Sequence, residues 1–401
     1  MDTDVDHPRP FPRPNRLMTT RRDAAPEAFD YRPLGRVVFG AGSLSRLGEL
    51  ARDLGGTRVL LVTDPGLEHV GHPQRAVASL RAAGLAVAVF DEVQENPTGR
   101  HVEAAAAVAR QHGADLLVAV GGGSAIDVAK GTNFVVTNGG SIADYQGFGK
   151  ATKPMLPSIG VPTTAGTGSE AQSYALIADE SSHLKMACGD KKAAFRIAVL
   201  DPEVTLTQPR MVTAVTGLDS VAHALESYVT TTRNVLSQTF ARQAWNLLTR
   251  NFERVLDRPE DLAARADMQL GAHLAGMAIE ASMLGCAHAC ANPLTAHYGT
   301  THGVAVGVML PHVIRYNAIA VESLYAELAR DAGLPDGAEA LARRVTALLR
   351  SAGLPTTLAE CGVSRNILPV LAVEAGEQWT ARFNPRPVTE ADLRRLYEAA
   401  E

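Results

Sequence analysis

Cysteine is scarce in this chain. Four residues, Cys188, Cys286, Cys290 and Cys361, are spread over 401 positions, too few for a disulfide framework at this size. Long apolar runs are also missing: no stretch approaches the roughly 18 consecutive apolar residues of a membrane span. The N-terminus lacks the apolar segment of a secretory leader, and no such segment follows Arg21-Arg22, as a twin-arginine signal would require. Nor does one sign of charge dominate. Charged residues make up 20% of the chain and the net charge is -5, so no broad basic surface for nucleic acid is expected. These absences leave a cytoplasmic enzyme, without a membrane or nucleic-acid partner, as the expectation.

Hydrophobic residues, at 46%, are ample for a packed core, and the length suits two domains or one large one. Residues 1–30 carry Pro8, Pro10, Pro12 and Pro14 among Arg and Asp, with no hydrophobic periodicity, and are expected to form a disordered tail. From Tyr31 strands and helices alternate. Strands are expected at 35–39, 58–63, 85–90, 115–120 and 158–161. Helices are expected from Ser43, as cap, to Leu54, over 74–83 and over 100–112. Arg58-Val-Leu-Leu-Val-Thr63 is apolar throughout, as in a strand buried on both faces. The alternation predicts a doubly wound parallel sheet. After Asp201-Pro-Glu203 the strand signals stop. Helices follow over 213–230, 236–256, 259–280, 303–330, 337–352 and 366–376, with breaks at Pro293, Pro311, Pro335 and Pro355. The boundary falls near residue 204, between an α/β dinucleotide-binding domain (31–204) and a helical metal-binding domain (205–401).

Gly121-Gly122-Gly123-Ser124-Ala-Ile-Asp127-Val-Ala-Lys130 follows a strand and opens a helix. Three glycines let a ligand approach the backbone, and the helix start turns its N–H groups to the same point, which makes a phosphate cradle. A tight turn without a ligand would use the same glycines. The pattern is not G-x-G-x-x-G, so a standard Rossmann fingerprint is absent. Pro162-Thr163-Thr164-Ala-Gly-Thr-Gly-Ser-Glu170 offers hydroxyls at the end of another strand, suited to ribose or pyrophosphate. Glu95-Asn96-Pro97-Thr98 would add a third wall. Asp64 ends the strand 58–63, where a carboxylate accepts from a ribose 2′-hydroxyl and repels a 2′-phosphate; an Asp before Pro also simply forms turns.

Asp219 and His223 stand four residues apart on a predicted helix, so their side chains share a face and suit a divalent metal, or only each other as a charge pair. His288 and Asn292 repeat that spacing. Cys286 and Cys290, each two residues from His288, point away and are expected as core residues. A break at Pro293 and Gly299 would let the chain fold back and bring His302 to His288. Together Asp219, His223, His288 and His302 form an O/N/N/N set suited to a catalytic ion with an open position.

With these residues assembled, the chain resembles the iron-containing (group III) alcohol dehydrogenase family, of the dehydroquinate synthase-like fold. The motifs are VTD at 62–64, ENPT at 95–98, GGGSAIDVAK at 121–130, PTTAGTGSE at 162–170, TGLDSVAHALESY at 216–228, HGVAVGVMLPHVIRYN at 302–317 and NPRPVTEADL at 384–393. The resemblance implies an N-terminal NAD(P)-binding domain, a helical domain holding the metal, and a cleft between them. It places the metal on Asp219, His223, His288 and His302, the pyrophosphate at Gly121 to Ser124, a second cofactor loop at Thr163 and Thr164, and a cofactor contact near Lys185; Asn96 and Asp127, in the third wall and the glycine-rich motif, are further candidates for cofactor contact. Asp64 matches the position where Asp favours NAD over NADP. The ion implied is Fe2+, with Zn2+ as the alternative that the Irving–Williams order favours for this donor set.

One departure stands out. Relatives acting on small diols carry a further histidine four residues after the third ligand, where this chain has Asn292. Asn cannot titrate, so the proton is expected to leave through water, a hydroxyl or His297. The activity implied is reversible hydride transfer between NAD and a small alcohol. The alternatives are a keto-acid reductase resembling maleylacetate reductase, and a metal-dependent lyase resembling dehydroquinate synthase. A homodimer is implied by the family alone.

Overall fold

The computed structural model describes residues 31–180, 184–335 and 337–401; the tail expected over 1–30 lies outside them. Six strands build the main sheet: β1 (Arg36–Phe39), β2 (Arg58–Val62), β3 (Ala86–Phe90), β4 (Leu116–Gly121), β6 (Ser158–Pro162) and β9 (Ile197–Leu200). They lie in the order β1-β9-β6-β4-β2-β3, and every pairing is parallel. Helices α1 (Leu47–Asp53), α2 (His72–Ala82), α3 (Gly99–His112) and α4 (Gly123–Asn138) cover it.

Side chains alternate across a strand, and the core divides accordingly. Val59, Leu61, Val118 and Val120 pack with Leu47 and Leu50 of α1 and Leu80 of α2. Leu60, Val62, Leu117 and Ala119 pack with Ala105 of α3 and Ile126 of α4. Both faces of β2 and β4 are therefore covered, which is why these strands read as unbroken apolar runs. The sheet is doubly wound. From β2 the chain reaches β3 and then β4 on its other side, so a crevice opens at the carboxyl ends of β2 and β4.

Ser43 does not cap a helix by its side chain. It opens a short 3-10 turn, and its hydroxyl lies 3.4 Å from the Leu200 carbonyl. Asp201 takes over, its carboxylate accepting from the N–H groups of Gly42 at 3.0 Å and Leu44 at 2.9 Å.

A second sheet, unforeseen from the sequence, has the order β5-β8-β7, with β5 (Gly147–Phe148), β7 (Tyr174–Ala178) and β8 (Lys185–Gly189). β7 and β8 pair antiparallel.

From Arg210 onward the described elements are helical: α5 (Arg210–Val229), α6 (Val235–Asp257), α7 (Leu262–Ala281), α8 (Cys286–Tyr298), α9 (His302–Asp331), α10 (Ala338–Ala352), α11 (Leu368–Glu377) and α12 (Glu390–Ala399), with short 3-10 turns between. The break expected at Pro293 is absent: Pro293 lies inside α8, which starts at Cys286 and ends at Gly299, left-handed at φ 62°. Proline there removes one backbone hydrogen bond from the helix, whose neighbouring residues Ala291 and Leu294 are buried. The sharp turn lies earlier, a bend of 106° between α7 and α8. Pro311 likewise lies inside α9, which kinks at Val321 instead. Among the described residues α9 alone is long and apolar enough to cross a membrane by itself, yet 67% of its apolar window is buried inside the fold. Its apolar residues belong to the core shared with Leu218, Leu341 and Leu349.

Polar side chains of the helical half hold the end of β6. Gln269 donates to the carbonyls of Pro162 at 3.0 Å and Asp201 at 3.3 Å, and Gln208 to that of Thr163 at 2.6 Å. The backbone after β6 then presses on α7: a Cβ on Gly168 would lie 2.7 Å from the Ala272 carbonyl.

Candidate active site

Three loops meet at the carboxyl edge of the main sheet. Gly122 stands before α4 in extended conformation, so the first N–H groups of the helix have no partner within it. A Cβ on Gly121 would lie 3.1 Å from Asp64 Oδ2, one on Gly122 3.4 Å from Thr164 Cγ2, and one on Gly123 2.6 Å from Thr167 Cγ2. Close approach thus requires glycine at 121 and 123, while a Cβ on Gly122 would make ordinary contact. Asp64, Gly121–Ser124 and Thr163–Thr164 border one crevice, at the strand ends where open α/β sheets bind ligands. Burial raises the Asp64 carboxyl above its usual range, against hydrogen bonds from the Gly66 and Leu67 backbone.

Asn96 is the only described non-glycine residue with positive φ, at 51°. The following Pro97 carbonyl accepts from Ala178 N–H at 2.8 Å, pinning this third loop to the end of β7.

Asp127 sits in the interior behind the glycine loop. Its Oδ1 accepts from the Ser169 hydroxyl at 2.6 Å and lies 3.6 Å from Lys130 Nζ. Lys130 is fully buried and donates to the Ser169 carbonyl and hydroxyl, both at 2.7 Å, and to the Tyr174 carbonyl at 2.5 Å. This buried pair ties α4 to the segment that follows the loop after β6. Burial pushes the Asp127 carboxyl up and the Lys130 amine down, each opposed by the other's charge.

The ligand-type residues converge in the helical half. Asp219 and His223 come from α5, His288 from the first turn of α8, and His302 from the first residue of α9. The Nε2 atoms of His223 and His288 lie 3.4 Å from Asp219 Oδ1, and that of His302 lies 3.8 Å away. The His223 and His288 rings stack at 4.8 Å, and those of His288 and His302 tilt at 5.5 Å. Asp219 Oδ1 and His288 Nε2 are buried without a hydrogen-bond partner. Asp219, His288 and His302 offer ligand atoms all within 4.8 Å of one another, two of them orphaned, which fits a divalent cation, and His223 approaches the same carboxylate from beside them.

The electrostatics follow from crowding. Burial alone would raise the Asp219 carboxyl, but the three imidazoles hold it far below the usual range. Burial lowers His223 to about 4. His288 also pays for burial, yet two carboxylates raise it to about 9.

The second of those carboxylates is Glu226, which the sequence reading passed over. Its Oε2 lies 2.5 Å from His288 Nδ1, and its Oε1 accepts from the Ala287 N–H at 2.7 Å. A carboxylate there keeps the proton on Nδ1 and leaves Nε2 to face Asp219, the partner that ligating histidines use to fix their tautomer. Its position was visible: three residues after His223 and seven after Asp219, it shares their face of α5. Glu226→Ala is expected to weaken divalent-metal binding by about 10–100-fold, with Glu226→Gln intermediate, measured by chelator competition.

Two expected residues lie elsewhere. His297 is nine residues beyond His288, on the opposite side of the continuous α8, and its Nε2 lies 2.9 Å from both oxygens of Glu374. It does not reach the cluster as a proton carrier. Asn292 is one turn past His288 and donates to Gln378 Oε1 at 2.9 Å. Lys185 is half-buried at the start of β8. Burial lowers its amine, while Asp219, Asp127 and Glu95 raise it. Cys286 and Cys290 are buried, with their sulfurs 3.9 Å apart.

Comparison with known proteins gives this geometry its context. The sequence pattern described as "Iron-containing alcohol dehydrogenase" matches residues 35–202, and that of the "Fe-containing alcohol dehydrogenase family, C-terminal" matches residues 213–401. The NAD-dependent methanol dehydrogenase of Bacillus methanolicus is 34% identical over 371 residues, 90% of this chain and 97% of that protein. The crystal structure of a 1,3-propanediol oxidoreductase superposes with a TM-score of 0.90 at 34% identity, covering 94% of this chain and all (100%) of that one. Sulfoacetaldehyde reductase from Bifidobacterium kashiwanohense, solved in complex with NAD+, gives 0.85 at 28% identity, covering 93% and 99%. Joined to a glycine-lined crevice at the sheet edge and a buried Asp/His cluster in the helical half, these matches establish that the chain belongs to the iron-containing alcohol dehydrogenase family.

Proposed function

We propose that this protein is a metal-dependent, NAD-linked alcohol dehydrogenase, transferring hydride reversibly between an alcohol and NAD. The observation that carries the reading is the pair of orphaned, buried atoms, Asp219 Oδ1 and His288 Nε2, 3.4 Å apart. Asp219, His223, His288 and His302 would hold the cation, which is iron by the family. When bound, such an ion supplies a Lewis acid for the alcohol oxygen. Glu226 orients His288, Gly121–Ser124 and Thr163–Thr164 receive the pyrophosphate and ribose, and Lys185 offers a cation. With His297 tied to Glu374 and Asn292 unable to titrate, the proton leaves through water or a hydroxyl.

The separate family patterns over 35–202 and 213–401 support a division near residue 204. A cytoplasmic homodimer is the setting this reading takes from the family resemblance.

Asp64 carries a distinct prediction. Asp64→Ser removes the carboxylate that would repel a 2′-phosphate, and is expected to shift the ratio of kcat/KM for NADPH over NADH upward by about 10–100-fold, some 1.4–2.7 kcal/mol of discrimination. Initial rates with both cofactors check it. The function itself is tested by following NADH oxidation with a panel of aldehydes and keto acids in the Fe(II)-loaded protein. Turnover of aldehydes supports the dehydrogenase. Turnover of keto acids alone would replace it with a keto-acid reductase.

A further inference from the structure

The small sheet has two unlike faces. Ala175, Ile177, Met186 and Cys188 point into a core with Phe134 of α4 and Val102 of α3. Residues paired across an antiparallel ladder share a face, and Tyr174 pairs with Gly189, Leu176 with Ala187, and Ala178 with Lys185. The second face therefore runs from Lys185, past Leu176 and Ala187, to Tyr174. Tyr174, Leu176, Lys185 and Ala187 are all half-buried.

Gly189 fixes the far end. A Cβ on it would collide with the Tyr174 ring and lie 2.8 Å from Phe148 Cδ2, so both rings occupy this face. Trp379 completes the group: its ring lies 5.5 Å from that of Tyr174, which lies 5.6 Å from that of Phe148. Trp379 remains half-buried and Phe148 is 43% exposed.

The same face is tied by geometry to the helix that carries His288. Gln378, next to Trp379, accepts from Asn292, one turn from His288. A four-step strand spans about 13 Å, so the wall is polar at Lys185 and apolar, then aromatic, toward Tyr174.

We propose that Leu176, Ala187, Tyr174, Phe148 and Trp379 form the subsite for the substrate's tail, selecting alcohols and aldehydes with a medium-length alkyl or arylalkyl chain over ethanol-sized ones. The inference rests on the dehydrogenase reading and adds the substrate class. Half-exposed aromatic and aliphatic side chains gain by covering apolar surface, and a longer alkyl or arylalkyl tail covers more of Leu176, Ala187 and the three rings than ethanol can.

The test is steady-state kinetics of the metal-loaded protein with NAD+ and ethanol, 1-butanol, 1-hexanol, 3-phenylpropanol and 1,3-propanediol. Each methylene is expected to raise kcat/KM up to about fourfold, mainly through KM. Trp379→Ala is expected to lower the hexanol-to-ethanol ratio about tenfold, with Trp379→Phe retaining most of it. Phe148→Ser, at an exposed site, is the second variant and shifts the ratio the same way. Alcohol turnover with no chain-length gradient, or a gradient untouched by both Trp379→Ala and Phe148→Ser, overturns the tail subsite alone. No turnover of any alcohol defeats the dehydrogenase reading and this inference with it.

Discussion

His288→Ala should lower alcohol turnover by at least about a thousandfold while leaving NAD binding nearly unchanged. His288 sits at the centre of the cluster: its Nε2 faces Asp219, its rings neighbours are His223 and His302, and its Nδ1 is held by Glu226. Removing it takes away one of four ligand atoms and leaves Glu226 with only its Ala287 contact on that side. The cofactor crevice is built from other elements, the ends of β2, β4 and β6, and shares no hydrogen bond with His288. NADH fluorescence should therefore titrate normally in a variant without turnover. A variant retaining a tenth of its rate, or losing NAD binding in step with it, would contradict this division of labour.

Lys130→Met is expected to destabilise the fold by about 3–5 kcal/mol. Lys130 satisfies three acceptors and neutralises Asp127 in the interior. Deleting the ammonium leaves a buried carboxylate supported by the Ser169 hydroxyl and two carbonyls without their donor. The double variant Lys130→Met/Asp127→Leu should recover part of the loss, because replacing both partners removes the uncompensated charge. Urea unfolding of the three variants at one fixed metal and NAD concentration measures it. A Lys130→Met midpoint equal to that of the parent would show that the pair carries no such weight.

The chemistry-bearing residues were largely legible because they are set by local geometry. Asp219 and His223 share a helix face by spacing alone, and three glycines between a strand and a helix announce a backbone that something must approach. What escaped was decided by packing at a distance. Glu226 reads as an ordinary polar residue on α5 until the first turn of α8 arrives to bury it. His297 looked available because Pro293 was read as a break, which discards the phase of the helix. With α8 continuous, nine residues place it on the far side. The second sheet went unseen because β7 and β8 are five residues each and alternate weakly, one face being core and the other an apolar cleft wall. Helix boundaries in the second half were placed well where polar and apolar faces alternate, as in α6 and α10, and poorly at the α7–α8 bend, where the flanking helices are apolar on both sides.

The most direct test of the account is to titrate metal-stripped protein anaerobically with Fe(II), and in parallel with Zn(II), while recording NADH oxidation by an aldehyde and the metal bound per chain. The account predicts an inactive stripped protein whose activity rises in proportion to bound ion and saturates at about one per chain, as one four-ligand site requires. Full activity in the stripped protein, or saturation of His288→Ala with the same ion at the same affinity, would contradict it.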